Sequence, residues 1–264
     1  MQWNELITIE SRYSRSVNLE RDAASPAAIG GYVITSTAHD MVGRFADALE
    51  DPTRQRAWSI TGPYGSGKSA FALFMSKVLG PRADQASQQA RRLLKEQHPG
   101  TYRQLFDRRA RSHVPDEGYC AILISGSFEP ILTTLLDACC RDIGPYFTPG
   151  RRPKALKRLE SLRRSSHAGE QVSSSEVVDL LVALAVNLRE SKKARGFILV
   201  IDELGKFLEF AASYPERGDV FVLQQLAEAT ARETTPSLFL LTILHQSFDQ
   251  YAEKLRPSAR QEEI

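Results

Sequence analysis

The amino-acid sequence predicts an α/β fold in three layers, with a mostly parallel sheet between two layers of helices. Short apolar runs, typical of buried parallel strands, occur at 56–61, 119–125, 197–201 and 237–244. Longer segments with helical spacing separate these runs. Strands that alternate with helices in this way favour a parallel sheet covered on both faces.

The composition is that of a globular protein without membrane segments. The chain has 264 residues, 42% of them hydrophobic and 25% charged, which is enough to form a substantial core. No run approaches the roughly 18 apolar residues of a membrane span, and the N-terminus lacks a basic segment followed by an apolar one. The three cysteines, Cys120, Cys139 and Cys140, form no disulfide framework. We therefore expect a cytoplasmic protein with no membrane contact.

The helical pattern divides the chain into a lead-in and one domain. Residues 1–31 show no clear period and are predicted to form an irregular or strand-bearing lead-in, and residues 32–264 form the domain. Two basic segments, about 82–118 and 145–175, interrupt the domain and are interpreted as helical insertions. The remaining helices are predicted at about 38–50, 68–79, 128–143, 175–192 and 218–233.

A glycine-rich turn between the first strand and the helix after it carries the clearest chemical signal. Residues 62–69 read GPYGSGKS, which is a Walker A phosphate loop in its required strand-to-helix context. Gly65 and Gly67 permit torsions that let successive N–H groups surround a phosphate, and the helix N-terminus adds partial positive charge. Lys68 is predicted to reach the β- and γ-phosphates and Ser69 to ligate Mg²⁺. The predicted nucleotide-binding residues are Gly62, Pro63, Tyr64, Gly65, Ser66, Gly67, Lys68, Ser69 and Ala70.

The third apolar run, 197–201, is followed by two adjacent carboxylates, as a Walker B strand is. In FILVIDELGKFLEF, Asp202 follows the strand and is predicted to support Mg²⁺, while Glu203 is predicted to polarise the attacking water. This places both acids beside the phosphate loop if the two strands are neighbours in the sheet. Lys206 is interpreted as a surface residue of the helix that follows. The predicted catalytic residues are Lys68, Glu203 and His245, and the predicted metal ligands are Ser69 and Asp202.

The class of P-loop protein follows from what surrounds these motifs. No asparagine begins the NKxD signature of guanine specificity. Strand 119–125 lies between the loop strand and the acidic strand, and this extra strand, with the adjacent Glu203, resembles the additional-strand class of P-loop ATPases. The last strand ends at LTILHQSF, where His245 or Gln246 is a candidate sensor of the γ-phosphate; Thr242 lies deeper and is expected to pack.

The segments AWSITGPYGSGKSAFAL, VIDELGKFLEF and LLTILHQSFDQYAEKL together resemble a family of bacterial AAA+-like, Orc- and STAND-related ATPases. Members of that family occur in anti-phage and restriction-type gene clusters, including BREX-like systems. The resemblance spans about residues 32–260. It implies that residues 32–37 and the helix behind them flank the adenine of ATP.

The same resemblance implies that the chain corresponds to the N-terminal ATPase portion of a larger protein and lacks a C-terminal helical lid. A lid arginine and an arginine finger are therefore unassigned, with Arg232, Arg256 and Arg260 as candidates.

The net charge of +2 is unevenly distributed. Residues 91–114 carry seven lysines and arginines against two carboxylates, and residues 145–168 carry seven against one. Such clusters suit nucleic-acid phosphates, but arginine-rich helices also serve as solvated faces or as protein-binding surfaces. DNA, a protein partner and self-association all remain open at this point.

These observations lead to two main hypotheses. The first is Mg²⁺-dependent ATP hydrolysis that powers or gates a larger defence or DNA-transacting assembly. The second is a nucleotide-dependent interaction or oligomerisation module with little turnover. A small-molecule phosphotransferase is disfavoured because no acceptor-pocket signature is present.

Overall fold

A computed structural model describes residues 17–246 except 26, 28, 52, 111, 112 and 233–236. Arg256 and Arg260 lie outside the described residues. The described strands are β1 (Ala57–Thr61), β2 (Cys120–Ser125), β3 (Phe197–Asp202) and β4 (Leu238–Leu244). The described α-helices are α1 (Leu19–Ala23), α2 (Ser36–Glu50), α3 (Lys68–Leu79), α4 (Gln85–Gln97), α5 (Pro99–Phe106), α6 (Ile131–Ile143), α7 (Lys154–His167), α8 (Ser174–Glu190), α9 (Gly205–Ser213) and α10 (Phe221–Arg232).

The four described strands form one parallel sheet in the order β1-β4-β3-β2. Thr61 lies opposite Leu244, and Asp202 lies opposite Ser125, so the carboxyl ends of all four strands meet at one edge. The loop strand and the acidic strand are not neighbours, and that premise of the sequence interpretation is wrong. The strand between them is β4, whereas β2 lies at one end of the sheet. The additional strand is thus the last one in the chain.

The core consists of two apolar clusters, one on each face of the sheet. Along β3, Phe197, Leu199 and Ile201 join the cluster that includes α6, α7, α8 and α10, whereas Ile198 and Val200 join the cluster that includes α2 to α5. This alternation follows from the two-residue period of a strand. The predicted three-layer α/β fold is confirmed.

Three helix starts differ from the predicted positions by two or three residues: α10 begins at Phe221 and not at about 218, and α2 and α6 differ for local reasons. The N-cap of α2 is Thr35, whose side chain accepts a hydrogen bond from the Ala38 N–H; Thr37 lies inside the helix. Helix α6 begins at Ile131 and not at Phe128, because Pro130 occupies its N-cap and the residue before a proline is held in extended conformation.

The basic segments are helical, as predicted. The first holds α4 and α5, and the second holds α7, whose buried leucines belong to the core cluster around α6 and α8. In the described part of the lead-in, the regular element is the short helix α1 and not a strand. Among the described helices, none combines the length and apolarity needed to cross a bilayer.

Candidate active site

The phosphate loop joins β1 to α3 and lies open to solvent. Gly65 and Gly67 have φ values of 77° and 85°, in the left-handed region that favours glycine, and Gly67 is the N-cap residue of α3. Residues 63–67 are exposed. The left-handed torsions expected of these two glycines are present in an exposed loop, and their role in binding a phosphate stays a prediction.

The Lys68 side chain bends back over this loop. Its Nζ donates hydrogen bonds to the carbonyl oxygens of Gly62 (2.6 Å) and Pro63 (2.8 Å), and to Ser66 Oγ (3.3 Å). Lys68 is 8% exposed. Burial lowers the pKa of its ammonium group, and the charge of Asp202 opposes that shift. The ammonium group thus lies at the centre of the loop, where an anion would meet it.

The loop and the acidic strand meet although their strands are not adjacent. The Ser69 side chain lies close enough to the carboxylate of Asp202, which is 4% exposed, for its hydroxyl to oppose the upward shift of the Asp202 pKa. Strand β4 makes this contact possible because it binds both sides: Leu244 O accepts from the Gly62 N–H (3.3 Å), and Ile243 O accepts from the Leu204 N–H (3.1 Å). The intervening strand therefore connects the two halves of the site.

Asp202 lies in a low-dielectric environment at this edge of the sheet. Burial raises the pKa of its carboxyl group, while the nearby Ser69 hydroxyl and the hydrogen bond from the Glu203 N–H (2.8 Å) oppose the shift. A buried carboxylate next to a serine hydroxyl is an oxygen-rich pair suited to a hard divalent cation.

Glu203 follows Asp202 in a strained backbone conformation. Its φ is 51°, which is uncommon for a residue with a side chain. Gly126, just after β2, holds this backbone: its N–H donates to Asp202 O (2.8 Å), and a methyl group at Gly126 would overlap the Glu203 carbonyl. Sequence reasoning missed Gly126, although its position directly after a buried strand was a usable signal.

Lys206 is an exposed residue of α9, as expected, and its side chain also contacts Glu203. Its ammonium forms an ion pair with the Glu203 carboxylate, and this hydrogen bond raises the pKa of Lys206. The spacing of three residues on a helix start was visible in the sequence, but the direction of the Glu203 side chain was not. In this structure the predicted water-polarising carboxylate is engaged by a neighbouring cation.

His245 lies at the end of β4, beside the loop. Its ring stacks on that of Tyr64, with centroids 3.5 Å apart, and neither of its buried ring nitrogens has a hydrogen-bond partner among the described residues. Burial and the charge of Lys68 lower the pKa of the imidazole, so His245 is mainly neutral at pH 7. Of the two sensor candidates, the imidazole is the one in ring contact with the loop. Thr242 packs deeper, as expected, with Oγ1 3.4 Å from Trp58 O.

The residues present fit a nucleotide phosphate and a magnesium ion. The loop supplies amides, one ammonium and a helix N-terminus, which together suit a phosphate chain. Among the described residues no group of three or more His, Cys, Asp or Glu side chains could hold a metal. Magnesium in nucleotide sites needs no such group, since one or two protein oxygens, water and phosphate oxygens complete its shell.

The segment expected beside the adenine packs on the loop helix. The Tyr32 ring stacks on Phe74 of α3 with centroids 4.6 Å apart, and the neighbouring Val33 side chain is 69% exposed. An exposed apolar side chain near α3 is compatible with a base-binding role, which stays a prediction.

Comparison with known proteins gives one structural match. No protein-family model matches the chain, and no curated protein matches it. A solved structure of the Aeropyrum pernix ORC2 protein, in ADPNP and ADP complexes, is similar at 16% sequence identity with a TM-score of 0.47. The match covers 88% of this chain and 48% of that chain, so this chain spans about half the length of the ORC2 chain.

Proposed function

We propose that this chain is an ATPase module that binds Mg²⁺·ATP and hydrolyses it. The observation that carries the proposal is that the phosphate loop, with Ser69, and the buried Asp202 meet at the carboxyl edge of the sheet, both bonded to β4. Two segments far apart in sequence supply the two oxygen ligands that a phosphate-bound magnesium requires, directly beside a loop of phosphate-binding geometry.

Each side chain has a separate role in this proposal. Lys68 and the amides of residues 62–69 bind the phosphates, with Ala70 in the first turn of α3 closing the loop. Ser69 and Asp202 would hold Mg²⁺, which when bound neutralises charge on the terminal phosphates. Glu203 orients the attacking water and accepts its proton. The neutral His245 imidazole can donate from one ring nitrogen to a phosphate oxygen.

A second candidate function is a module that binds nucleotide to set a conformation or assembly, with little turnover. The ion pair between Glu203 and Lys206 favours this alternative, because a carboxylate engaged by an ammonium group is not free to accept a proton from water. An exposed pair of this kind is worth at most about 1 kcal/mol, so it slows hydrolysis rather than preventing it. The ATPase proposal therefore takes precedence.

Replacing Glu203 with glutamine separates the two functions. Hydrolysis requires the carboxylate as a base, so phosphate release should fall by about 100-fold or more, with the ATP dissociation constant unchanged. The measurements are phosphate release at saturating Mg²⁺·ATP and ATP binding by calorimetry. Glu209→Gln, at an exposed position on the following helix α9, is the control with an equal change in charge. Equal turnover in both variants would contradict the assigned role of Glu203.

For the assembly in which this module acts, we propose only its general kind. The resemblance in the three quoted motifs supports a cytoplasmic role in a defence or DNA-transacting complex, with protein partners or self-association. An inactive isolated chain that becomes active with a partner protein would support this part of the proposal.

A further inference from the structure

Six of the seven lysines and arginines of the second basic segment fall into two groups; the seventh, Arg151, is exposed and precedes α7. In the first group, each guanidinium is held by a carboxylate: Arg158 pairs with Glu176 (2.6 Å), Arg163 pairs with Asp137, and Arg152 pairs with Glu160. Arg158 connects α7 to α8, and Arg163 connects α7 to α6. Arg152, which precedes α7, binds a carboxylate of α7 itself. All three are structural, and their charge is already compensated.

The second group consists of Lys154, Lys157 and Arg164, and we call it the α7 stripe. All three side chains are exposed, and none forms an ion pair within the described part of the chain. At 100° per residue they lie within about 80° of arc on one face of the helix. At 1.5 Å per residue they span about 15 Å along its axis. The hydroxyl-bearing Ser161 lies on the same face between them.

The face that carries the stripe has no apolar anchor. The buried side chains of α7 are Leu156, Leu159 and Leu162, which point into the core with α6 and α8. The only acidic residue of α7 is Glu160, and Arg152 engages it. The exposed face is therefore purely cationic and hydroxylic over its length.

From this arrangement we infer that the α7 stripe is a binding surface for the phosphate backbone of a double-stranded nucleic acid. Phosphate contacts are made by lysine, arginine and serine side chains, and they need no apolar pocket. The stripe contains no aromatic ring that would stack on unpaired bases, which favours a duplex over a single strand. Binding through these contacts should be independent of base sequence, because phosphate contacts carry no sequence information.

An acidic protein is the competing partner, and the composition of the face disfavours it. The binding energy of protein interfaces is concentrated in buried aromatic, apolar or arginine anchors, and charged rims contribute little affinity. Neither the buried leucines of α7 nor its one ring, His167, which contacts Asp137, provides such an anchor. A polyanion with regularly spaced charges can bind a row of cations without an apolar anchor.

The test is a salt titration of duplex binding by the full chain without nucleotide, so that its outcome is independent of the ATPase proposal. Fluorescence anisotropy of a labelled 30-base-pair duplex of mixed sequence is measured between 50 and 200 mM salt. The stripe variant replaces Lys154, Lys157 and Arg164 with glutamine. Three phosphate contacts contribute a slope of about −2.7 in log K against log salt, which is roughly a 40-fold change over this range.

The control variant replaces Arg103, Arg108 and Arg109 with glutamine. These side chains are exposed on and just after α5, in the other helical layer, and the change in net charge is the same. The stripe variant should lose most of the slope and bind at least about ten-fold more weakly at 50 mM salt, whereas the control retains both. Unchanged melting temperatures confirm that both variants fold.

Three results would overturn the inference. The first is no duplex binding by the unaltered chain at 50 mM salt. The second is an equal loss in both variants, which would mean that only net charge matters. The third is polyglutamate of matched charge binding as tightly as the duplex, which would indicate an acidic protein partner instead.

Discussion

Glu203 shows how a single residue in this site depends on its backbone neighbours. Its backbone has a positive φ, and its carboxylate forms an ion pair with Lys206. Gly126 keeps that backbone in place by close approach from the end of β2. The position of the proposed base is therefore set by a glycine that has no chemistry of its own.

Replacing Gly126 with alanine should disturb the base while leaving the phosphate loop intact. The added methyl group overlaps the Glu203 carbonyl, and relieving such overpacking costs about 1–3 kcal/mol. We expect a lower free energy of unfolding in urea and slower phosphate release, with ATP binding retained. Gly43→Ala is the matched control, since nothing lies within 4 Å of the added atom in the middle of α2, and alanine there should stabilise the helix. A Gly126→Ala protein as stable and active as the Gly43→Ala protein would refute the argument.

Strand β4 organises the molecule at the level of elements. It lies between β1 and β3, binds the start of the phosphate loop and the residue after Glu203, and carries His245 at its end. Helix α10, which precedes β4, is attached to the start of β1 by Arg56. This arginine is 1% exposed, and its Nη1 donates to Thr230 O (3.0 Å) in the last turn of α10.

Replacing Arg56 with methionine should therefore loosen the contact between α10 and the sheet. Methionine keeps an unbranched apolar stem but leaves the Thr230 carbonyl without this donor. Hydrogen bonds that involve a charged group are worth about 1.5–3 kcal/mol, and we expect a loss of that size in the free energy of unfolding in urea. Arg54→Met is the control, because the Arg54 side chain is 65% exposed and its loss should change stability by no more than about 0.5 kcal/mol. Equal effects of both substitutions would show that the buried contact contributes nothing.

Two features belong to the molecule as a whole. One is the uneven distribution of charge along the chain, and the other is the exposure of the phosphate loop to solvent. The 197–264 stretch carries eleven carboxylates against six cations, whereas 145–168 is strongly basic. The loop residues 63–67 are exposed, and Lys68 is bonded to backbone oxygens that a phosphate would replace. Ligand binding should thus stabilise the native state without a large rearrangement of the core.

Binding of a nonhydrolysable ATP analogue with Mg²⁺ should raise the melting temperature. A ligand at 100 times its dissociation constant stabilises the native state by about 2.7 kcal/mol, which corresponds to roughly 5–10 °C for a chain of this size. Removing Mg²⁺ with a chelator should reduce the shift, and Lys68→Ala should abolish most of it. Differential scanning fluorimetry gives the measurement. An identical shift in the Lys68→Ala protein would place the nucleotide elsewhere on the molecule.

The sequence by itself determined the features that depend on local chain chemistry. Residues 62–69, the acidic pair and the apolar strands are each specified within one short segment, because torsional freedom, strand period and helix start are local properties. The tertiary structure alone decided which strand separates β1 from β3, which cation faces Glu203, and that Gly126 holds the Glu203 backbone. It also decided which arginines of 145–175 are compensated, since their carboxylates come from other helices or from another turn. These outcomes depend on contacts between segments distant in sequence, and the packing of the two helical layers on the sheet fixes them.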